Sequence, residues 1–80
     1  MYYTITLRLE ESVDIDYIID KVYEAGFEDS IISYKLASTD IDIEGYTRSN
    51  NTTKIAKAID KKLNTIQEYI VDRSILITEE

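Results

Sequence analysis

The chain has 80 residues, with 16 acidic and 9 basic side chains, a formal net charge of -7, and no His, Cys, Trp or Pro. Without His and Cys it cannot form a Ser-His-Asp or Cys-His nucleophile, a disulfide or a Cys/His zinc site. Its other acid–base side chains ordinarily titrate far from pH 7, so the composition argues against an enzyme and predicts no cofactor. A chain of this length buries one small core, and we expect a single domain, residues 1–80.

The first part of the chain predicts a strand and a helix. Apolar residues alternate with polar ones over residues 3–10, which is typical of a half-buried strand. Apolar residues then recur at helical spacing over residues 14–25 and predict a helix. Gly26 stands where a left-handed C-terminal cap is expected, and Phe27 returns the chain to the core.

Three more strands and a helix are predicted beyond that point. Alternation indicates a second strand over residues 30–36, ending at Leu36, and a third over residues 40–46. A polar segment precedes a helix over residues 53–66, and a β-branched stretch over residues 69–78 predicts the last strand. The predicted core is Ile5, Leu7, Ile18, Ile19, Val22, Phe27, Ile41, Ile43, Ile55, Ile59, Leu63 and Ile75.

The element order β-α-β-β-α-β predicts the fold class. With antiparallel strands, right-handed crossovers and two helices on one face of the sheet, this order is that of a ferredoxin-like sandwich. We therefore expect an α+β, ferredoxin-like βαββαβ domain with a four-stranded antiparallel sheet. Because this architecture hosts many activities, function has to be argued from individual residues.

Acidic residues are concentrated in residues 1–47, which hold eleven acids and three bases, a net charge of -8. Three acids recur every four residues on the solvent side of the first helix, three alternate on the open face of the third strand, and two follow the first helix. The candidate partner-binding residues are Asp16, Asp20, Glu24, Glu28, Asp29, Asp40, Asp42 and Glu44. An ordinary solvated surface is the alternative.

Three shorter patterns suggest other chemistry. Residues 40–45 match the start of an EF-hand calcium loop, but Asn51 stands where that loop needs a bidentate Glu, which favours a strand and no metal. Asn50 and Asn51 each begin a glycosylation pattern, and they are better explained as caps of the second helix. Arg8 is expected to pair with an acid of the third strand.

Lysines and tyrosines supply two further sets of surface residues. Lys54, Lys57 and Lys61 share one side of the second helix, but the acidic half of the chain opposes direct binding to nucleic acid or to an anionic membrane. Four tyrosines have no evident core position and suit a protein interface or the cover of a sheet edge: Tyr2, Tyr17, Tyr23 and Tyr46.

The segment Val22-Tyr23-Glu24-Ala25-Gly26-Phe27-Glu28-Asp29-Ser30 resembles the signature of a group of small bacterial domains, in which a helix ends in Ala-Gly, then Cys or Phe, then Asp/Glu-Asp. The stretch 42–48 and the helix around Ala58-Ile59 are similar in place, so the resemblance covers most of the chain. It implies a stand-alone ferredoxin-like domain without particular site residues. Some of these domains precede a helix-turn-helix segment, and since none follows in this sequence we expect no DNA-reading role.

By kind alone, the chain also resembles the small acidic inhibitors of phages and mobile elements, including anti-CRISPR proteins, several of which present rows of carboxylates to a basic groove. We therefore expect a non-catalytic module that occupies a basic surface of a host protein or nucleoprotein complex. Without an evident signal peptide or transmembrane run, we expect it in the cytoplasm. The alternative is a regulatory or antitoxin-like dimerisation domain, a possible homodimer. A carboxylate-based enzyme or a divalent-metal protein is a third possibility.

Overall fold

The structure, a computed structural model, describes residues 1–35 and 37–78. Its elements are β1 (Tyr2–Leu9), α1 (Ile15–Val22), β2 (Ile31–Tyr34), β3 (Asp40–Tyr46), α2 (Thr52–Asn64) and β4 (Ile70–Thr78). The strands form one antiparallel sheet in the order β2-β3-β1-β4. The predicted α+β class, with a four-stranded antiparallel sheet and two helices, is confirmed and is compatible with a ferredoxin-like fold.

The bounds of every element except β3 differ from the prediction by one to three residues, and two of these differences have a clear cause. β2 begins at Ile31 because Ser30 closes the preceding turn: its backbone N–H and its hydroxyl both donate to the Phe27 carbonyl. The predicted end of this strand, Leu36, lies outside the described residues. α2 ends at Asn64, two residues early, because the Ile66 N–H donates at 3.0 Å to the carbonyl three residues before it and tightens the last turn.

One core joins both helices to a single face of the sheet. The odd-numbered side chains of β1 and β3 are buried in it together with the apolar residues of α1 and α2, while most even-numbered side chains of the other face are exposed. That other face is called the open face below. The predicted core is confirmed except for Ile19 and Ile75, which are half-buried; Ile75 lies on the edge strand β4. Three further buried residues are absent from the predicted core: Leu9, Ile66 and Ile70.

Gly26 has the left-handed conformation predicted for a cap, but α1 itself ends at Val22, three residues before the predicted end. A wider turn of π-helical type continues from Tyr23 to Phe27, and Gly26 within it has φ of 117°, a conformation that L side chains avoid. Phe27 is fully buried. The Lys62 Nζ of α2 donates to the Gly26 carbonyl at 3.1 Å and lies 5.1 Å from the centre of the Phe27 ring. This contact ties the turn to α2.

Asn51 begins α2 as a cap, as predicted. Its side-chain oxygen accepts a hydrogen bond from the Lys54 backbone N–H at 3.1 Å, which satisfies one of the free donors of the first turn. Among the helices of the described residues, none is long and apolar enough to cross a membrane.

Candidate protein-binding surfaces

The three acids predicted on the first helix form an exposed row, called the α1 row below: Asp16 and Asp20 lie in α1, and Glu24 lies in the turn that continues it. Asp16, Asp20 and Glu24 all point away from the core that buries Ile18 and Val22. Glu24 accepts a 3.4 Å hydrogen bond from Lys21 Nζ, and that bond raises the pKa of Lys21. Within residues 1–35 and 37–78, Asp16 and Asp20 form no ion pair. The predicted exposure of this row is confirmed.

The three acids of β3 lie on the open face, and side chains of the neighbouring strand β1 bind two of them. Asp40 pairs with Arg8, with Oδ1 and Nε 3.4 Å apart, and Asp42 accepts a 2.9 Å hydrogen bond from the Thr6 hydroxyl. The predicted pairing of Arg8 with an acid of the third strand is confirmed. Glu44 is exposed and forms no ion pair or side-chain hydrogen bond within the described part of the chain.

The eight candidate acids therefore do not share one surface. The α1 row faces away from the sheet on the helical side of the molecule, whereas Asp40, Asp42 and Glu44 lie on the opposite side. Glu28 and Asp29 are exposed in the segment between α1 and β2. Asp29 and Glu44 belong to different groups of these acids, but both line the same groove.

That groove lies at one end of the open face and has a volume of about 340 Å³. Its apolar walls include Tyr2, Ile31 and Tyr46, and the rings of Tyr2 and Tyr46 lie 5.0 Å apart. Both tyrosines were predicted to be surface residues, but Ile31 was not. Ile31 stands directly before Ile32 in the sequence, and its place in the groove is visible only once the register puts it opposite Glu44.

A second, smaller cavity of about 170 Å³ lies between the end of α1 and α2, and Tyr3 and Lys62 line it. Burial and the neighbouring Asp29 carboxylate raise the pKa of the Tyr3 phenol. The Tyr3 ring lies across Gly45, where a side chain would overlap it.

The remaining sequence patterns also have definite positions. Residues 40–45 belong to β3 and not to a loop, so the calcium-loop alternative is wrong; in the described residues no three His, Cys, Asp or Glu side chains form a group that could hold a metal. Lys54, Lys57 and Lys61 are exposed on α2. A 3.4 Å hydrogen bond joins the hydroxyls of Tyr17 and Tyr69, and it raises the pKa of Tyr69 to about 12.

Comparison with known proteins identifies a structural neighbour and no family. No family model matches the sequence, and no curated protein matches it significantly. The chain is similar in structure to protein Atu4242 from Agrobacterium tumefaciens, known from an X-ray crystal structure: the TM-score is 0.62, the identity 18%, and the match covers 99% of this chain and 92% of that one. At this identity the similarity shows the fold alone.

Proposed function

We propose that the chain is a non-catalytic protein-binding module of ferredoxin-like βαββαβ topology that occupies a basic surface of a protein or nucleoprotein complex. In this proposal it acts as an anti-CRISPR-like inhibitor from a phage or mobile element: it blocks the nucleic-acid-binding surface of a host defence complex in the cytoplasm. It needs no cofactor and does not itself bind nucleic acid.

The exposed row on α1 is the observation that supports this proposal. Asp16, Asp20 and Glu24 follow one another about 6 Å apart along the helix axis, within about twofold of the charge spacing of a single DNA strand. Like charges at this spacing cost the helix a few tenths of a kcal/mol, a cost that Asp16 in the first turn and the Lys21–Glu24 pair offset in part. A basic groove that attracts phosphates would attract the same row.

The test uses purified defence complexes of bacteria, with target-DNA binding measured by fluorescence anisotropy. The domain should displace DNA from at least one complex, and its inhibition should weaken between 50 and 200 mM salt, the range over which phosphate contacts weaken strongly. The variant D16K/D20K/E24K should inhibit at least about tenfold less well, because its row then repels the basic surface. The matched control K54E/K57E/K61E reverses three exposed charges of α2 and should inhibit as well as the wild type. Displacement from none of the complexes, or equal inhibition by the first variant, contradicts the proposal.

The edge of the sheet favours a second candidate, a regulatory or antitoxin-like dimerisation domain. β4 is a nine-residue edge strand (Ile70–Thr78), paired only with β1 among the described strands, and its Val71 and Leu76 are exposed. Unpaired edges are templates for another strand. Sedimentation equilibrium from micromolar to millimolar protein tests this candidate: a dimer that Leu76→Lys weakens supports it, and a strict monomer excludes it.

A further inference from the structure

The open face carries an apolar patch at the end nearest the groove. The strand register places Ile31, Glu44, Thr4 and Leu76 in one row across all four strands, and Tyr2 and Tyr46 are paired in the next row. Ile31 and Leu76 are 70% and 62% exposed, the highest values among the large apolar side chains of the described residues, and Tyr2 and Tyr46 are 56% and 51% exposed. Exposed apolar patches of this kind mark interaction sites.

Glu44 lies within this patch, with Ile31 opposite it on β2 and Thr4 opposite it on β1. Its carboxylate is exposed and, in residues 1–35 and 37–78, has no cationic partner. Asp29 adds a second carboxylate to the same groove, beside the Tyr2 and Tyr46 rings. The groove therefore combines aromatic faces, an aliphatic wall and two negative charges.

We propose that this groove receives an arginine side chain of a partner protein, with aliphatic neighbours of that arginine resting on Ile31 and Leu76. A guanidinium is planar, stacks on aromatic rings and binds a carboxylate through two hydrogen bonds, whereas a lysine ammonium does only part of this. The inference deepens the proposed function and rests on it, because it gives the same basic partner an anchor on the open face in addition to its contact with the α1 row.

Charge argues against a second copy of this chain as the occupant. Among the described residues the open face carries four acids, Asp40, Asp42, Glu44 and Asp72, and one base, Arg8. Two copies that met through this face would oppose two surfaces of net charge -3, and like charges across an interface disfavour association. The whole face, strands of eight, four, seven and nine residues about 4.8 Å apart, covers roughly 440 Å² per partner. That is the size of a small, transient interface.

The test titrates the isotope-labelled domain with the peptide acetyl-Leu-Arg-Leu-amide and follows backbone amide shifts by NMR. We expect saturable shifts at Ile31, Gly45 and Tyr46. A peptide with citrulline, the neutral isostere of arginine, should bind about tenfold more weakly, because a hydrogen bond to a charged group is lost. Glu44→Gln should weaken the arginine peptide by about the same factor, while the matched surface variant Glu11→Gln, in the exposed turn beyond the far end of β1, should leave its affinity unchanged.

Four results would overturn the inference: no saturable shift at millimolar peptide, equal binding of the citrulline peptide, equal binding to Glu44→Gln, or shifts confined to α1. Concentration-dependent shifts of the same amides without peptide identify a second copy as the occupant and overturn it as well. Because the peptide titration contains no defence complex, its failure is separate from failure of the displacement assay. If the arginine peptide binds but the domain displaces no DNA, the arginine-binding groove is supported and the inhibitory role is rejected.

Discussion

At the scale of single residues, Gly45 shows how a cross-strand contact decides which residue is allowed. It lies opposite Tyr3 in the β1–β3 ladder, and a Cβ added there would overlap the Tyr3 hydroxyl and ring. Gly45→Ala therefore forces the ring out of its half-buried position against Phe27, 6.5 Å away between ring centres. We expect this substitution to lower the free energy of unfolding by about 1–3 kcal/mol, as overpacking does, measured by urea denaturation.

The Tyr3→Ala background supplies the control for that prediction. Since the Tyr3 ring is what Gly45→Ala displaces, the same substitution should cost much less when the ring is absent, and a double-mutant cycle isolates the difference. An equal loss in both backgrounds would assign the cost to the backbone of β3 instead. The two glycines also differ in what the sequence reveals. Gly26 was predicted because a helix end is a local feature, whereas the need for Gly45 depends on Tyr3, far away in the chain.

At the scale of elements, the start of α2 rests on one capping side chain. Asn51 accepts the Lys54 N–H at 3.1 Å, and removing such a cap costs typically about 1 kcal/mol. Asn51→Ala should lower the free energy of unfolding by that amount, which appears as a lower midpoint of urea unfolding. Asn50→Ala is the matched control, since the neighbouring Asn50 is exposed and does not cap the helix; it should leave the midpoint nearly unchanged. Equal effects of the two substitutions would show that the cap contributes nothing.

Local periodicity predicted the elements well, because each strand and helix carries its own alternation of apolar residues. It failed where burial depends on the next element. Leu9 and Ile70 are paired at the bulge between β1 and β4, and Ile66 is buried in the turn that follows α2. Leu9 continues the alternation of β1 and Ile66 continues the helical spacing of α2, so the sequence indicated both, whereas only the packed structure reveals that Ile70 is core. The same limit applies to Ile31, whose place beside Glu44 needs the β2–β3 register.

At the scale of the whole molecule, the sequence placed the acids on two surfaces, the solvent side of the first helix and the open face of the third strand, and the structure puts these surfaces on opposite sides. Helical spacing placed the α1 row in solvent, and strand alternation placed the β3 row on the open face. The two rows lie on opposite sides because α1 packs, through the shared core, on the face of the sheet opposite the open face. The net charge of -7 is therefore distributed over both sides of the molecule, and the carboxylates repel one another across its full thickness.

That arrangement makes stability depend on ionic strength in a particular range. The molecule measures 37 × 22 × 20 Å, so at 10 mM salt, where the Debye length is about 30 Å, charges on its two sides repel each other; at 150 mM, where it is about 8 Å, they do not. Potassium chloride over this range should raise the melting temperature by several degrees, equivalent to about 1 kcal/mol. The variant D16N/D20N/E24Q removes three charges from one side, so it should melt higher at 10 mM and gain less from salt. An equal gain in both proteins would mean that salt acts on something other than these carboxylates.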